Sequence, residues 1–186
     1  MDYELIIEII AVITGLLSIW FSYKINILVY PIGMISLALY VFIFIKNGLY
    51  ANSIINLLYF VISIFGWWNW KRQNSKSESL KVSFLSLSQR IITTSIILAA
   101  FLFAYRISSD TNTLLDYITG ILGLGGMLLT AFKKVENWIL YLICNIILIP
   151  LCIHNELYFT SFQYLGYTIL AAMGFINWRK EAKTNV

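Results

Sequence analysis

The chain has 186 residues, 60% of them hydrophobic and 12% charged, with a formal net charge of +4 and a mean hydropathy of +0.80. A soluble domain is about 45–50% apolar and about 25% charged, so the surplus here covers the outside of the molecule as well as the inside, which only lipid tolerates. No stretch of mixed composition exceeds about 20 residues, which excludes a separate soluble domain, and the positive charge has to be read through its distribution along the chain, not as a sign of nucleic-acid binding.

About 20 apolar residues cross a bilayer, and seven such runs follow one another, near 4–22, 27–45, 51–70, 88–106, 115–132, 137–154 and 160–178. The first is preceded and entered by Asp2, Glu4 and Glu8, not by a basic patch, and no small-residue cleavage site follows it, so it is expected to be a retained helix. The second contains Pro31, expected to loosen or kink it, as Pro150 is in the sixth. The third carries Asn52, Asn56, Tyr59, Ser63, Trp67 and Trp70, at spacings that put all six on one helical face. After it comes the polar, serine-rich stretch from Lys71 to Gln89, the one long loop of the chain. The fourth run has no counterpart elsewhere. In the fifth, Gly120, Gly123, Gly125 and Gly126 permit close helix approach. The sixth offers Asn137, Tyr141 and Asn145 at intervals of four, and the seventh Gln163, Tyr167, Gly174 and Trp178, with Tyr164 beside them. Cys144 and Cys152 lie too far apart along one helix to bridge and read as packing residues. His154, the only histidine, has no second ligand at metal spacing.

Lysine and arginine orient the chain. With the 71–89 loop cytoplasmic, Lys24, Lys71, Arg72, Lys76, Lys81, Arg90, Lys133, Lys134, Arg179, Lys180 and Lys183 share that side, and of the 13 basic residues only Lys46 and Arg106 fall outside. Asp2, Glu4, Glu8, Asp110, Asp116 and Glu156 then lie at the outer side, with the N-terminus outside and the C-terminus in the cytoplasm.

The chain also repeats itself. Residues 47–71 align without gaps to 155–179, an offset of 108 that pairs Asn47/Asn155, Leu49/Leu157, Tyr50/Tyr158, Tyr59/Tyr167, Gly66/Gly174, Asn69/Asn177 and Trp70/Trp178. Upstream, an offset of 111 pairs Gly15/Gly126, Leu17/Leu128, Phe21/Phe132, Asn26/Asn137 and Tyr30/Tyr141. A three-residue length difference in the second helix is expected to absorb the change. Three-helix units joined directly would be inverted, and the unmatched fourth helix restores the same direction to both. The expected fold is therefore all-α and polytopic, with seven transmembrane helices as two parallel three-helix repeats, 1–74 and 111–186, joined by a loop and linker helix at 75–110.

Asparagine and glutamine in spans often serve as interhelical hydrogen-bond glue, but three stripes in one small protein favour a polar, aromatic-walled cavity. All six tryptophans map to the cytoplasmic helix ends, where a headgroup belt would also place them. Trp20, Trp68 and Trp138 fit that belt; Trp67 and Trp70 fall on the polar stripe and are expected to point inward. Paired acids, a nucleophile motif and metal ligands are lacking from the spans, so neither an intramembrane enzyme nor an ion-coupled carrier is expected. A facilitated route for a small neutral or organic-cationic solute fits better, since aromatic walls suit a flat or positive ring.

The GWWNW of 66–70 with the LYANSIINLLY before it, NILVYPIG at 26–33, NWILYLICN at 137–145 and the closing G-x-x-N-W of 174–178 resemble the PnuC family of bacterial vitamin transporters over nearly the whole chain. The resemblance implies a SWEET-like 3+1+3 fold in the cytoplasmic (inner) membrane and uptake of nicotinamide riboside, made one-way by phosphorylation in the cytoplasm. Thiamine is the alternative cargo, and a non-transporting scaffold or receptor the alternative of another class. It further implies that Asn56, Tyr59, Trp67, Trp70, Asn137, Trp138, Tyr141, Asn145, Gln163, Tyr167 and Trp178 bind substrate, with Trp67 and Trp70 stacking on the ring and Asn145 and Gln163 bonding to its polar groups. No cofactor, metal or nucleic acid is called for; the partners are the vitamin and membrane lipid, and homo-oligomers are compatible with the reading.

Overall fold

The computed structural model describes residues 3–74, 80–154 and 158–184. Asp2, Asn155, Glu156 and Leu157, and residues 75–79 of the polar loop, including Lys76, lie outside the described residues. The described residues form seven helices: α1 (Tyr3–Tyr23), α2 (Val29–Lys46), α3 (Tyr50–Asn74), α4 (Leu87–Ile107), α5 (Thr111–Ala131), α6 (Asn137–His154) and α7 (Tyr158–Thr184). Six of them, α1 to α6, are long and apolar enough to cross a membrane. The seventh expected span is a helix too, but Gln163, Tyr164, Tyr167, Thr168 and Asn177 leave it less apolar than the rest. The chain is thus an all-helical, multi-pass membrane protein.

The helices form two compact units, residues 1–80 with 130–132, and residues 81–129 with 133–186. In the first, hydroxyls and glycines close the helix pairs, as expected where lipid removes the hydrophobic drive for helices to associate. Ser36 Oγ donates to the Ala11 carbonyl (2.7 Å) and Ser18 Oγ to that of Val29 (2.8 Å), joining α2 to α1. Ser53 Oγ donates to the Val41 carbonyl (3.4 Å), joining α3 to α2. A methyl group on Gly66 would lie 2.4 Å from the Tyr30 ring, so the ring rests directly on the α3 backbone. Tyr30 meets Trp70 edge to face, at 5.3 Å and 89°. Asn69 Nδ2 and Trp70 Nε1 donate to the carbonyls of Ala131 (2.9 Å) and Thr130 (3.2 Å), capping orphan acceptors at the end of α5.

The second unit is built on the same contacts. Cys144 Sγ donates to the Thr119 carbonyl (3.4 Å) and Ser161 Oγ to that of Ile149 (3.4 Å). Gly174 lies under the Trp138 indole, where a methyl group would come within 2.5 Å, and Trp138 meets Trp178 edge to face at 5.6 Å and 87°. Each contact sits 108 residues after its mate: Ser36/Cys144 on Ala11/Thr119, Ser53/Ser161 on Val41/Ile149, Tyr30/Trp138 on Gly66/Gly174. So do both ends of the first two helices of each unit, and the two residues other than glycine with positive φ, Ile25 (56°) and Lys133 (50°).

The expected 111-residue offset is therefore corrected to 108 throughout, with no length difference in the second helix. The identities at 111 mislead because a glycine changes helices. In the first unit Gly33 of α2 faces Ser18 of α1; at the same places in the second, Tyr141 of α6 faces Gly126 of α5. Pro31 also departs from expectation. Because α2 begins at Val29, Pro31 occupies its first turn, where its missing N–H costs no helical bond and forces no kink. Pro150 does lie inside α6.

Part of the polar loop is ordered against the connector between α5 and α6. Ser83 N donates to the Lys133 carbonyl (3.1 Å) and Val135 N to that of Ser83 (3.1 Å), an isolated parallel bridge. Glu136 accepts from Leu85 N (3.1 Å) and pairs with Arg90 of α4 (3.3 Å). Burial pushes the neighbouring Lys133 ammonium below the usual lysine range, with Glu181 opposing the shift. Helix α4 starts with a reciprocal cap between Ser86 and Gln89.

Helix α5 starts four residues before its apolar run because Asp110 caps it. Its carboxylate accepts from the Thr113 hydroxyl (2.6 Å), Thr113 N (3.0 Å), the Ser109 hydroxyl (2.9 Å) and Asn112 N (2.9 Å). These bonds, the Thr113 hydroxyl's above all, hold the carboxyl at about 2, against an ordinary 3.8.

Two predictions follow from these contacts. Gly174→Ala and Gly66→Ala should each cost about 1–3 kcal/mol by overpacking, whereas Gly120→Ala, with nothing within 4 Å of the added carbon, should be neutral or stabilising by about 0.5–1 kcal/mol; thermal unfolding in detergent reads all three. A depressed carboxyl contributes its full stability above the ordinary carboxylate value and loses it as pH falls through about 2. Tm should thus drop more steeply below about pH 4 in the wild type than in Asp110→Asn, which keeps a capping oxygen but no titration.

Candidate functional site

On α3 the sequence-predicted stripe divides. Asn56 and Tyr59 are half-buried, and Asn56 Nδ2 donates to the Asn52 carbonyl one turn back (2.9 Å). Trp67 is 40% exposed, whereas Trp70 is 1% exposed, with its ring against Tyr30 and its indole N–H on Thr130. The pair expected to point inward together is thus split between an open ring and one engaged by the protein. Trp70 and Trp67 are three positions apart, which turns them about 60° from each other around the helix.

On α6, Asn137 is fully buried, Asn145 nearly so, and Tyr141 half-buried. Trp138, which also fitted a headgroup belt, is instead buried on Gly174 between Tyr141 (6.1 Å) and Trp178 (5.6 Å). Its Nε1–H has no acceptor among the described residues. On α7, Gln163 Nε2 donates to the Tyr167 hydroxyl (2.6 Å), and Tyr164 meets the Tyr167 ring edge to face at 5.9 Å. The second unit therefore gathers two groups of predicted residues: an aromatic lock of buried Trp138 and Trp178 with half-buried Tyr141, and an amide–phenol pair of Gln163 and Tyr167.

Tyr30 belongs to the first unit's lock, and the sequence marked it as a repeat match within NILVYPIG but not as a site residue. The 108-residue register would have aligned it with Trp138 and shown its role. Trp20 and Trp68 are exposed, as a headgroup belt requires. Cys144 and Cys152 are buried free thiols. Among the described residues no group of three or more metal-ligating side chains occurs.

The predicted site residues are amides, phenols and indoles. Such a set donates and accepts hydrogen bonds, presents π faces and carries no formal charge at neutral pH. Such groups are of the kind that can hold a polar, ring-bearing solute.

Residues 5–180 match the family described as nicotinamide mononucleotide transporter. The nicotinamide riboside transporter PnuC of Escherichia coli K12 is 28% identical over 206 residues, covering 95% of this chain and 86% of that protein. The protein of the same name from Neisseria mucosa is 26% identical over 196 residues, covering 94% and 72%. Among solved structures, the crystal structure of the vitamin B3 transporter PnuC superimposes with a TM-score of 0.77 at 24% identity, over 97% of this chain and 83% of that one.

Proposed function

The chain belongs to the nicotinamide mononucleotide transporter family, and from that premise we propose that it carries nicotinamide riboside across the bacterial inner membrane. One observation carries the choice of cargo: none of the predicted site residues is lysine or arginine. A mononucleotide would bring a phosphate dianion into the membrane, which calls for a cationic partner. The riboside has hydroxyls, a carboxamide and a positively charged aromatic ring, which amides, phenols and indoles can satisfy.

In this reading Asn145, Gln163, Tyr167 and Tyr141 bond to the amide and hydroxyls, and Asn56, Tyr59 and Trp67 serve on α3. Trp70, Trp138 and Trp178 shape the walls behind them, and Asn137 orders the start of α6. The 108-residue repeat supports a 3+1+3 arrangement of parallel repeats. The lysine and arginine distribution supports an outer N-terminus and a cytoplasmic C-terminus. With no carboxylate among the site residues, the route is facilitated, and phosphorylation in the cytoplasm would make uptake one-way.

Asn145→Ala and Trp67→Ala should each weaken nicotinamide riboside binding by about 3- to 10-fold, the scale of one net hydrogen bond or ring contact. Calorimetric titration of the purified protein with nicotinamide riboside, thiamine and nicotinamide mononucleotide side by side should give the lowest Kd for the riboside. Sealed liposomes should equilibrate it without an ion gradient. Tighter mononucleotide or thiamine binding would reassign the cargo, and the absence of uptake would mean a receptor.

A further inference from the structure

Helix α6 begins one residue after Glu136, and Glu136 fixes that start twice. Its carbonyl accepts from Ile139 N (3.1 Å) and Leu140 N (3.3 Å), within the first turn of the helix. Its carboxylate turns outward to the ordered part of the polar loop: both oxygens lie 3.1 Å from Leu85 N, and one lies 3.3 Å from Arg90 of α4. Arg90 Nε completes the clasp by donating to the Leu85 carbonyl (3.1 Å). The Arg90 side chain is 55% exposed and that of Glu136 17%, so the ion pair is screened and contributes little by itself. A carboxylate on a backbone N–H is the stronger bond.

A shift of this clasp would reach the predicted site. Asn137 and Trp138 follow Glu136 directly and are fully buried. Trp138 rests on Gly174 so closely that a methyl carbon there would come within 2.5 Å of the ring, and Tyr141 stands 6.1 Å from it. Side chains packed this densely move with their helix, so the first turn of α6 sets where Trp138 and Tyr141 stand.

The first unit folds the same connector without the clasp. Asn26 N donates to the Phe21 carbonyl (2.9 Å) as Lys134 N does to that of Leu129 (2.9 Å), 108 residues on. Glu136, however, corresponds to Leu28, whose side chain accepts no hydrogen bond and whose N–H donates to Asn26 Oδ1 within the connector (2.9 Å). The helix that follows, α2, has Val29 and Gly33 where α6 has Asn137 and Tyr141. The clasp thus accompanies the helix that bears the polar groups, and an apolar residue takes its place before the helix that does not.

We propose, resting on nicotinamide riboside as the solute, that Glu136 is a positioning residue of the carrier: clasped to Leu85 and Arg90, it holds the first turn of α6 so that Trp138 and Tyr141 stand where the solute binds. Glu136 itself touches no solute.

The test uses the full chain in detergent, with nicotinamide riboside titrated calorimetrically and amide exchange followed by mass spectrometry in the absence of ligand. Glu136→Ala should weaken riboside binding about 3- to 10-fold, the scale of one hydrogen bond, and speed exchange over residues 137–141 but not over 29–33. Glu136→Asp, one methylene shorter, draws the carboxylate back from Leu85 N and should show the same loss, which keeps the test open if the alanine variant does not fold. An acid before a helix also complements the helix dipole; Glu136→Gln removes that charge, keeps an oxygen for Leu85 N, and should bind within about threefold of wild type. Asn26→Ala loosens the matching start of α2 and should leave riboside binding unchanged, whereas a general loss of stability would weaken binding in both units' variants alike. Unchanged affinity in Glu136→Ala and Glu136→Asp, an equal loss in Asn26→Ala, or no rescue by glutamine overturns the proposal. Absence of riboside binding by the wild type would instead sink the proposed cargo. Exchange then decides the clasp: faster rates confined to 137–141 in Glu136→Ala support it, and unchanged or uniformly faster rates overturn it.

Discussion

Both compact units share one kind of contact, an aromatic ring packed directly on a glycine. In lipid, apolar side chains gain nothing by turning from acyl chains to each other, so helices associate through dispersion at close approach and through hydrogen bonds. Tyr30 on Gly66 and Trp138 on Gly174 supply the approach, and they turn Trp70 and Trp178 edge-on behind them. The serine and cysteine bonds to Ala11, Thr119, Val41 and Ile149 extend each seam along the helices. With these contacts set, the outer faces are left apolar for lipid.

Composition and run length were enough to read the helices, because in a membrane each span must satisfy its own backbone and stay apolar for about 20 residues. Features that depend on neighbours were less legible. The start of α5 was missed because Thr111, Asn112 and Thr113 look like loop until Asp110 is seen capping them. The repeat register was misread where the glycine moves from Gly33 on α2 to Gly126 on α5, since identity scoring cannot see an exchange across an interface. Periodicity placed Trp67 and Trp70 on one face, but only packing decides that Trp70 is covered and Trp67 open. The bonds from Glu136 to Leu85 and Arg90 join positions about fifty residues apart, and nothing in the local sequence announces them.

Charge explains how a membrane site can be polar without being reactive. An amide or phenol in a span costs little once hydrogen-bonded, as the Gln163–Tyr167 pair is. A carboxylate or ammonium there costs far more and would bind ions or protons as readily as substrate. The charged residues Glu8, Lys46, Asp110 and Asp116 lie at or near helix ends, and the predicted site residues carry no formal charge.

The register also bears on whether the polar stripes are glue or binding groups. At the 108-residue offset Asn137, Tyr141 and Asn145 of α6 correspond to Val29, Gly33 and Leu37 of α2, and Gln163 of α7 to Ile55 of α3. The first unit therefore closes the same helix pairs, in the same register, with apolar residues where the second has amides and a phenol. The packing bonds that both units need are repeated; these polar groups are not. A side chain that costs energy in lipid and is dispensable for closing the fold in one copy needs another reason to be present in the other. Under the proposed function, solute recognition is that reason for Tyr141, Asn145 and Gln163, and α6 and α7 would carry the selectivity.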